Sequence, residues 1–539
     1  MPRVLIADKL ESAGIELLQA AGIEVETRLG LKGDELAAAL QQYDAAIVRS
    51  QPKITADCLV NPGKLRAIAR AGVGVDNIDV PAATRKGVVV MNTPGGNTVS
   101  AAEHTIALML SLARRVPAAD AVMKAGGWDR NKFVGTQVAG KTLGVVGLGR
   151  IGREVARRAK GLDMSVIALD PFVTADKAAE LGYEVAASLD ELLPKVDFLT
   201  IHVPLSNETK SLIGTRELGM MRKTARILNV ARGGIIDEKA LAEALAAGTI
   251  AGAGVDVFSV EPIAADNPLV KAPNIVLTPH LGASTVEAQE NVAVEAAQLI
   301  ADYLLKGQVA NAVNMATVHP AELAEVRPYV DLARRLGLLQ AQLAQGAIRK
   351  ATLTYKGELA GKKTRLLTSA FTAGLLEFRL SEGVNLVNAE FLARERGIEI
   401  AESANPRKGD FASLLHTEVE TDKGTTIAAG TLFGDQYLRL VQLGPFRMEG
   451  YLDGALLVFM HRDVPGLIGF VGSIFGDHAV NIAQMTVGRQ TPGGEAIAIL
   501  NLDSPPPEQA VQAVKGHPQI SQVNVVRLPA AGELPSWLG

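Results

Sequence analysis

The chain has 539 residues, 48 % hydrophobic and 21 % charged, with a formal net charge of −4. That composition excludes disorder as a global state, and at about 150 residues per domain it predicts three or four domains. So slight a charge imbalance gives no reason to expect nucleic acid or an anionic membrane as partner, and one cysteine, Cys58, excludes an internal disulfide or a Cys-based metal site and fits a reducing compartment.

The opening apolar run, residues 4–7, is too short for a signal-peptide core and reads as a first β-strand. No stretch approaches 18 uninterrupted apolar residues, so no membrane-spanning helix and a cytoplasmic location are expected. Short runs at 4–7, 45–48, 67–68 and 88–91 predict strands, with helices at 15–21, 34–42 and 81–86 between them. Such alternation predicts βαβ units and a parallel sheet covered on both faces. The first strand leads into Asp8-Lys9-Leu10 rather than a glycine-rich turn, so this unit is assigned to substrate, not nucleotide.

Residues 100–115 place Ile106, Met109, Leu110 and Ala113 at helical spacing, and Ala107, Leu108 and Leu112 make the other faces apolar. A helix apolar nearly all round is buried on most sides, between domains or at a subunit interface.

A second series of strands follows at 143–146, 165–169, 198–201, 225–229, 252–257 and 275–277. Six strands with crossover helices are the inventory of a doubly wound dinucleotide fold. The first runs into Gly147-Leu148-Gly149-Arg150-Ile151-Gly152 and on into a helix at 153–160. With 53 glycines in the chain this G-x-G-x-x-G is weak alone, but strand, turn and helix give each glycine a task. The first permits the tight turn, the second lets a pyrophosphate approach, and the third allows close helix packing. Asp170 ends the next strand, 18 residues beyond Gly152. Its carboxylate would accept from ribose hydroxyls and repel a 2′-phosphate, which favours NAD over NADP.

Three polar segments, 229–234, 255–262 and 277–284, lie at the ends of the later strands, where open parallel sheets bind ligands. Oxidising an alcohol to a ketone needs a base for the hydroxyl proton, and His280 is the candidate. A substrate carboxylate needs a cation, for which the planar guanidinium of Arg232 is suited. Glu261 would accept from the far ring nitrogen of His280, fixing its tautomer and stabilising the imidazolium.

A boundary is expected near His319-Pro320. Residues 320–452 read as helix followed by strands, with turns at Lys423-Gly424 and Gly434-Asp435. From 454 onward the pattern is strand (455–460), helix (465–477), strands (482–489, 496–502), helix (507–515) and strand (522–528), a βαββαβ ferredoxin-like order.

The glycine segment 147–152, Arg232-Gly233-Gly234, Asp256 with Glu261-Pro262, and 280–284 together resemble the D-isomer-specific 2-hydroxyacid dehydrogenase family, as do 70–79 and Asn97 onward to Glu103. The likeness spans essentially the whole chain and is strongest to the long-form branch. It implies two doubly wound parallel-sheet domains: a flavodoxin-like substrate domain (1–98 with 285–316) and a Rossmann NAD domain (99–284). An α+β intervening domain of allosteric type (317–452) and a C-terminal ACT domain (454–530) would follow. Arg232, Glu261 and His280 are then catalytic. NAD contacts fall on Gly147, Gly149, Arg150, Ile151, Gly152, Asp170, Val203, Val230, Ala231, Asp256, Gly282 and Ala283, and substrate contacts on Arg49, Ser50, Arg70, Gly72, Val73, Gly74 and Asn97. Val73 and Val203 stand where relatives can carry Thr, removing hydroxyl contacts to NAD.

The implied substrate is 3-phosphoglycerate, oxidised to 3-phosphohydroxypyruvate in the first step of L-serine biosynthesis. Arg49 and Arg70 would suit its phosphate, and Asn97 with backbone amides its carboxylate. The resemblance further implies a homodimer or homotetramer, with L-serine bound where two ACT domains meet: Asp463 for its ammonium, Asn481 and amides near Gly466 for its carboxylate. Trp128-Asp129-Arg130-Asn131-Lys132 stands where relatives reach a neighbouring active site, though Asp129 departs from the more basic versions. Arg439 and Arg447 are cationic candidates in the intervening domain. Two other readings remain open: a dehydrogenase for another 2-hydroxy acid or 2-oxoglutarate, and a non-enzymatic NAD-sensing binding module.

Overall fold

A computed structural model describes residues 1–173, 180–316, 320–380, 383–434 and 436–535. The boundary expected at His319 and the turn residue Asp435 lie outside the described residues. Among these residues the strands form four sheets.

The first sheet holds β1 (Arg3–Ile6), β2 (Glu24–Thr27), β3 (Ala45–Val48), β4 (Ala67–Arg70) and β5 (Val89–Asn92), all parallel in the order β2-β1-β3-β4-β5. This is a doubly wound order, and its strand side chains alternate between two cores. Leu5, Ala46, Val48, Ile68 and Val90 face one. Val4, Ile6, Ala45, Ile47, Ala67 and Ala69 face the other, which is closed by helix Val286–Lys306. That helix returns from beyond the second sheet, so the first domain is assembled from two stretches of chain. Strand β2 was not anticipated: Glu24-Val25-Glu26-Thr27 is an edge strand with one apolar side chain, too polar to read as a buried strand.

The second sheet holds β6 (Thr142–Val146), β7 (Ser165–Leu169), β8 (Glu184–Val185), β9 (Phe198–Ile201), β10 (Arg226–Asn229), β11 (Gly252–Val255) and β12 (Ile275–Leu277). They run parallel in the order β12-β11-β10-β9-β6-β7-β8. The expected six strands are thus seven; β8 is a two-residue edge strand whose length carries no sequence period. Chain order reverses direction across the sheet at β6 and β9, which is where a dinucleotide crevice forms.

Helix Thr98–Arg114 joins the two domains and buries Ser100, Ala101, Ala102, Thr105, Leu108, Met109, Leu112 and Ala113. It is less enclosed than its composition predicts: Glu103 and Ala107 are exposed, and Ile106 and Leu110 only half-buried. The following helix, Val116–Lys124, buries no residue.

The third sheet comprises β13 (Ile348–Gly357), β14 (Glu399–Asn405), β15 (Ser413–Thr421), β16 (Gly424–Phe433), β17 (Tyr437–Leu443) and β18 (Phe446–Tyr451), ordered β14-β13-β15-β16-β17-β18. Helices Pro320–Leu343 and Arg365–Glu377 cover it and cross backbone to backbone. A Cβ on Gly337 would lie 2.2 Å from Phe371 O, and one on Gly374 2.1 Å from Arg334 O.

In the fourth sheet β19 (Ala455–Arg462), β20 (Ile482–Arg489), β21 (Glu495–Leu502) and β22 (Ile520–Arg527) are ordered β20-β21-β19-β22, with helices Leu467–Asp477 and Glu508–Lys515 on one face. The opposite face, through Leu456, Val458, Ile497, Ile499 and Val526, shares one hydrophobic core with Val330, Leu336 and Leu440 of the preceding domain. That preceding domain in turn meets the first: Arg85 pairs with Glu395 at 2.9 Å and the Asn385 amide donates to Gly87 O at 3.0 Å. Among the described residues no helix is long and apolar enough to cross a membrane.

Candidate active site

The glycine-rich turn has the geometry that the three expected tasks require. Gly147 has φ +92, and a Cβ there would meet His202 O at 2.6 Å and Val203 Cγ1 at 2.9 Å, so the turn lies against the end of β9. A Cβ on Gly152 would sit 2.0 Å from Gly147 O, which fixes the start of helix Arg150–Gly161 on the loop. Gly149, between them, faces open space at the N-terminus of that helix, where N–H groups and partial positive charge suit a pyrophosphate. Asp170 is half-buried at the end of β7. Its carboxylate accepts from Leu148 N at 2.7 Å and Phe172 N at 2.8 Å, binding the crest of the turn to the site expected for ribose. Arg150 is exposed and Ile151 packs beneath it in the helix's apolar cluster. Burial pushes His202 down to about 4, so it stays neutral behind this turn. These residues fit a dinucleotide.

Arg232, Glu261 and His280 lie on three successive loops past β10, β11 and β12. Asn229 ends β10 with its own side chain, accepting from Ala231 N at 3.1 Å and donating to Arg232 O at 2.9 Å. A Cβ on Gly233 would lie 1.9 Å from Phe258 O, so the loop carrying Arg232 is pressed onto the loop carrying Glu261. Glu261 Oε1 accepts from Phe258 N at 2.9 Å, and Oε2 meets His280 Nδ1 at 2.7 Å. His280 Nε2 has no hydrogen-bond partner among the described residues, and its side chain is 47 % exposed, leaving that nitrogen open to the cleft. Burial raises the Glu261 carboxyl, but hydrogen bonds from His280 and Phe258 N–H and the pull of the imidazole outweigh it, so the net shift is below the usual carboxylate range.

Arg232 crosses toward the first domain. Its Nε donates to Asp76 Oδ2 at 3.1 Å and its Nη1 to Ala231 O at 2.7 Å. Arg70, at the end of β4, is pushed down to about 10, first by burial and then by Arg232 and Arg49, with Asp76 and Asp8 opposing. Among the described residues its Nε is buried without a hydrogen-bond partner, as is Asn97 Oδ1. Three guanidiniums from two domains, one with an unpaired buried N–H, make a site for a multiply charged anion. Arg49 is half-buried beside them and Ser50 exposed. Gly72 and Gly74 make room for the cations: a Cβ on Gly72 would lie 2.3 Å from Arg70 Nη1, and one on Gly74 1.8 Å from Arg232 Nη2. The Asn92 amide fixes Val73 between them by donating to its carbonyl. Because a side-chain tip can move, Gly74→Ala leaves the fold intact but displaces Arg232. The expected result is a raised KM for the acid substrate with cofactor affinity unchanged, read by steady-state kinetics and cofactor titration.

One expected cofactor residue takes another role. Asp256 is fully buried, and its carboxylate accepts from Thr278 Oγ1 at 2.5 Å, Leu281 N at 2.8 Å and Gly282 N at 2.9 Å, with His104 Nε2 at 3.2 Å. It anchors the turn that carries His280 instead of presenting its carboxylate to a cofactor. Val230 and Gly282 are buried beside it, a Cβ on Gly282 lying 3.2 Å from Val230 Cγ1, while Ala231 and Ala283 are half-buried. Sequence reasoning missed Asp76 and His104. Asp76 lay inside a quoted motif without a role, and His104 follows Ser100 by four positions on a helix read for its apolar residues.

In the C-terminal domain, Gly466 has φ +86 and opens helix Leu467–Asp477 as expected of a loop before a helix N-terminus. The two polar candidates are already engaged within the chain. Asp463 Oδ2 accepts from Arg489 Nη1 at 2.6 Å and Gly493 N at 3.1 Å, and the Asn481 amide donates to Asp503 at 2.7 Å. A ligand ammonium would therefore share Asp463 with a guanidinium, and the Asn481 donor expected for a carboxylate already meets one. Arg439 stacks 4.3 Å above the Tyr451 ring and Arg447 pairs with Asp410 at 2.8 Å, so both cations of the intervening domain have partners.

Comparison with known proteins follows the same division. The family described as D-isomer specific 2-hydroxyacid dehydrogenase, NAD binding domain, matches residues 106–282; the D-3-phosphoglycerate dehydrogenase intervening domain matches 325–444, and the ACT domain 455–519. The chain is 43 % identical over 95 % of its length to a D-3-phosphoglycerate dehydrogenase from Archaeoglobus fulgidus, covering 97 % of that protein. It is 42 % identical over 98 % of its length to one from Methanocaldococcus jannaschii, covering all of it. The crystal structure of the TT0316 protein from Thermus thermophilus, 36 % identical, superposes with a TM-score of 0.54 over 58 % of this chain and 99 % of that one.

Proposed function

This chain belongs to the D-3-phosphoglycerate dehydrogenase family, and from that premise we propose how its residues divide the work of oxidising 3-phosphoglycerate to 3-phosphohydroxypyruvate, the entry to L-serine synthesis. The glycine turn at 147–152 and Asp170 would hold NAD, which would supply the hydride acceptor for C2 of the substrate. Glu261, ionised and bonded to His280 Nδ1, keeps the proton on that nitrogen, so Nε2 presents a lone pair to the C2 hydroxyl and takes its proton. The imidazolium that forms is stabilised by the same carboxylate. Arg232, held through its Nε by Asp76, turns its remaining N–H groups toward the substrate carboxylate and the oxygen at C2. Arg49 and Arg70 take the phosphate, with Gly72, Val73, Gly74 and Asn97 forming the backbone and side-chain floor.

The observation that carries this reading is the 2.7 Å His280–Glu261 pair with an open Nε2, on loops locked to that of Arg232. The test is NADH formation from 3-phosphoglycerate beside glycerate and lactate, with NADH consumption on 2-oxoglutarate in the reverse direction. A clear preference for 3-phosphoglycerate is expected, and a larger kcat/KM on an unphosphorylated acid would remove the phosphate role of Arg49 and Arg70. The ACT domain binds an amino-acid effector, L-serine, and the chain self-associates through the apolar surface left by the interdomain region. Val116 and Met123 are each 52 % exposed, Trp128 78 % and Val134 77 %. Trp128→Glu with Val134→Glu is expected to reduce the assembly to a smaller species in sedimentation.

A further inference from the structure

Helix Thr98–Arg114 starts beside Asn97 in the substrate loops and then packs against β10, β11 and β12 under the catalytic loops. Ser100 and His104, four residues apart, lie on one face of it. Ser100 Oγ donates to Gly282 O at 2.8 Å. His104 Nε2 stands 3.2 Å from Asp256 Oδ1 and 3.0 Å from Thr278 Oγ1. The Thr278 hydroxyl itself donates to Asp256, so the His104 N–H is the donor shared by both oxygens. Asp256 is buried completely, and a buried carboxylate keeps its place only while its lone pairs are met.

What hangs from Asp256 is the turn that presents His280. That residue has φ +55, a left-handed conformation uncommon for any residue but Gly. It is held there by His280 N donating to Asp256 O at 2.9 Å and by the bonds from Leu281 N and Gly282 N to the carboxylate. The proposed chemistry makes no direct use of His104.

We infer that His104 is a positioning residue for hydride transfer: through Asp256 it holds the left-handed turn from which His280 meets the substrate, tying that turn to the helix that joins the two domains. The inference rests on the proposed oxidation and adds a residue to it. It is tested in the full-length chain with His104→Leu, which fills the space without a donor, and His104→Gln, which keeps an N–H. His104→Leu is expected to lower kcat about 10- to 100-fold, the scale of a slightly misplaced catalytic group, with NADH affinity close to wild type and a modest fall in Tm that leaves the chain folded at the assay temperature. The primary isotope effect with 3-phosphoglycerate deuterated at C2 rises, because hydride transfer becomes more fully rate-limiting, and His104→Gln recovers most of the rate. A merely smaller folded fraction lowers the rate but leaves the isotope effect unchanged. The inference is overturned by wild-type kcat in His104→Leu, by a loss without a change in isotope effect, or by equal losses in both variants. A wild-type chain that forms no NADH from 3-phosphoglycerate overturns the oxidation itself, a failure told apart because it precedes any substitution.

Discussion

His280→Asn lowers kcat for 3-phosphoglycerate oxidation by about 10²–10⁴-fold, the range a positioned general base contributes, while NADH affinity by fluorescence titration stays near wild type. Asn is the informative replacement because it tolerates the left-handed conformation at this position, so the turn survives the loss of the ring. The bonds that hold the turn, from His280 N, Leu281 N and Gly282 N to Asp256, do not involve the imidazole. A variant keeping more than about a tenth of the rate would end the assignment of His280 as base. Glu261→Gln tests the other half of the pair: it keeps the shape but not the charge that stabilises imidazolium, so kcat falls while the turn and the cofactor site stay. The pH dependence has a definite sign. Glu261 has a folded value below its unfolded one, so its contribution to stability is present above the ordinary carboxylate range and is lost as the pH falls through the depressed value. Glu261→Gln removes that acid-side slope, which thermal unfolding against pH reads directly.

Much of this site can be read from the chain because it is built from local signals. A strand running into Gly147, Gly149 and Gly152 leaves little choice of conformation, and polar residues just past strand ends must meet at the crest of a parallel sheet. Arg232, Glu261 and His280 were legible for that reason. What was not legible depends on partners far apart in sequence. Asp256 reads as a ligand-facing acid until the fold brings His104, 152 residues earlier, and Thr278 to its carboxylate. Asp463 and Asn481 read as free binding groups, yet strand register delivers Arg489 to one and Asp503 to the other. Strands β2 and β8 escaped because short edge strands need no apolar alternation. The core shared by the third and fourth sheets also has no local signature, since an apolar strand face looks the same whether its cover belongs to its own domain or the next.

Arg335→Met should cost about 3–5 kcal/mol of stability, the usual result of leaving a buried charge without its partner. Arg335 is 1 % exposed and holds the C-terminal half together at one point. Its Nε meets both oxygens of Asp331 at 2.9 Å. Its Nη1 donates to Leu452 O and Pro529 O at 2.9 and 2.7 Å, and its Nη2 to Ala530 O and Glu533 O at 2.9 and 3.0 Å. One side chain thus ties helix Pro320–Leu343 to the link between the third and fourth sheets and to the segment after β22. Asp331→Asn is the contrasting variant: it also removes a charge partner, but it leaves all four carbonyl bonds in place and an amide oxygen for Nε, so its cost is expected to be smaller than that of Arg335→Met. The two losses should differ further with pH. Burial lifts the Asp331 carboxyl above its usual range, more than Arg335 and Arg334 lower it. A carboxyl raised on folding favours the folded state at low pH and loses that contribution as the pH rises through the folded value. Without Arg335 the carboxyl rises further, so the deficit of Arg335→Met is expected to shrink as the solution is acidified. Thermal unfolding and limited proteolysis around residues 452 and 529–533 measure it. Equal losses in the two variants, or a deficit that does not diminish in acid, would mean that packing of the shared core and not this guanidinium holds the two domains in register.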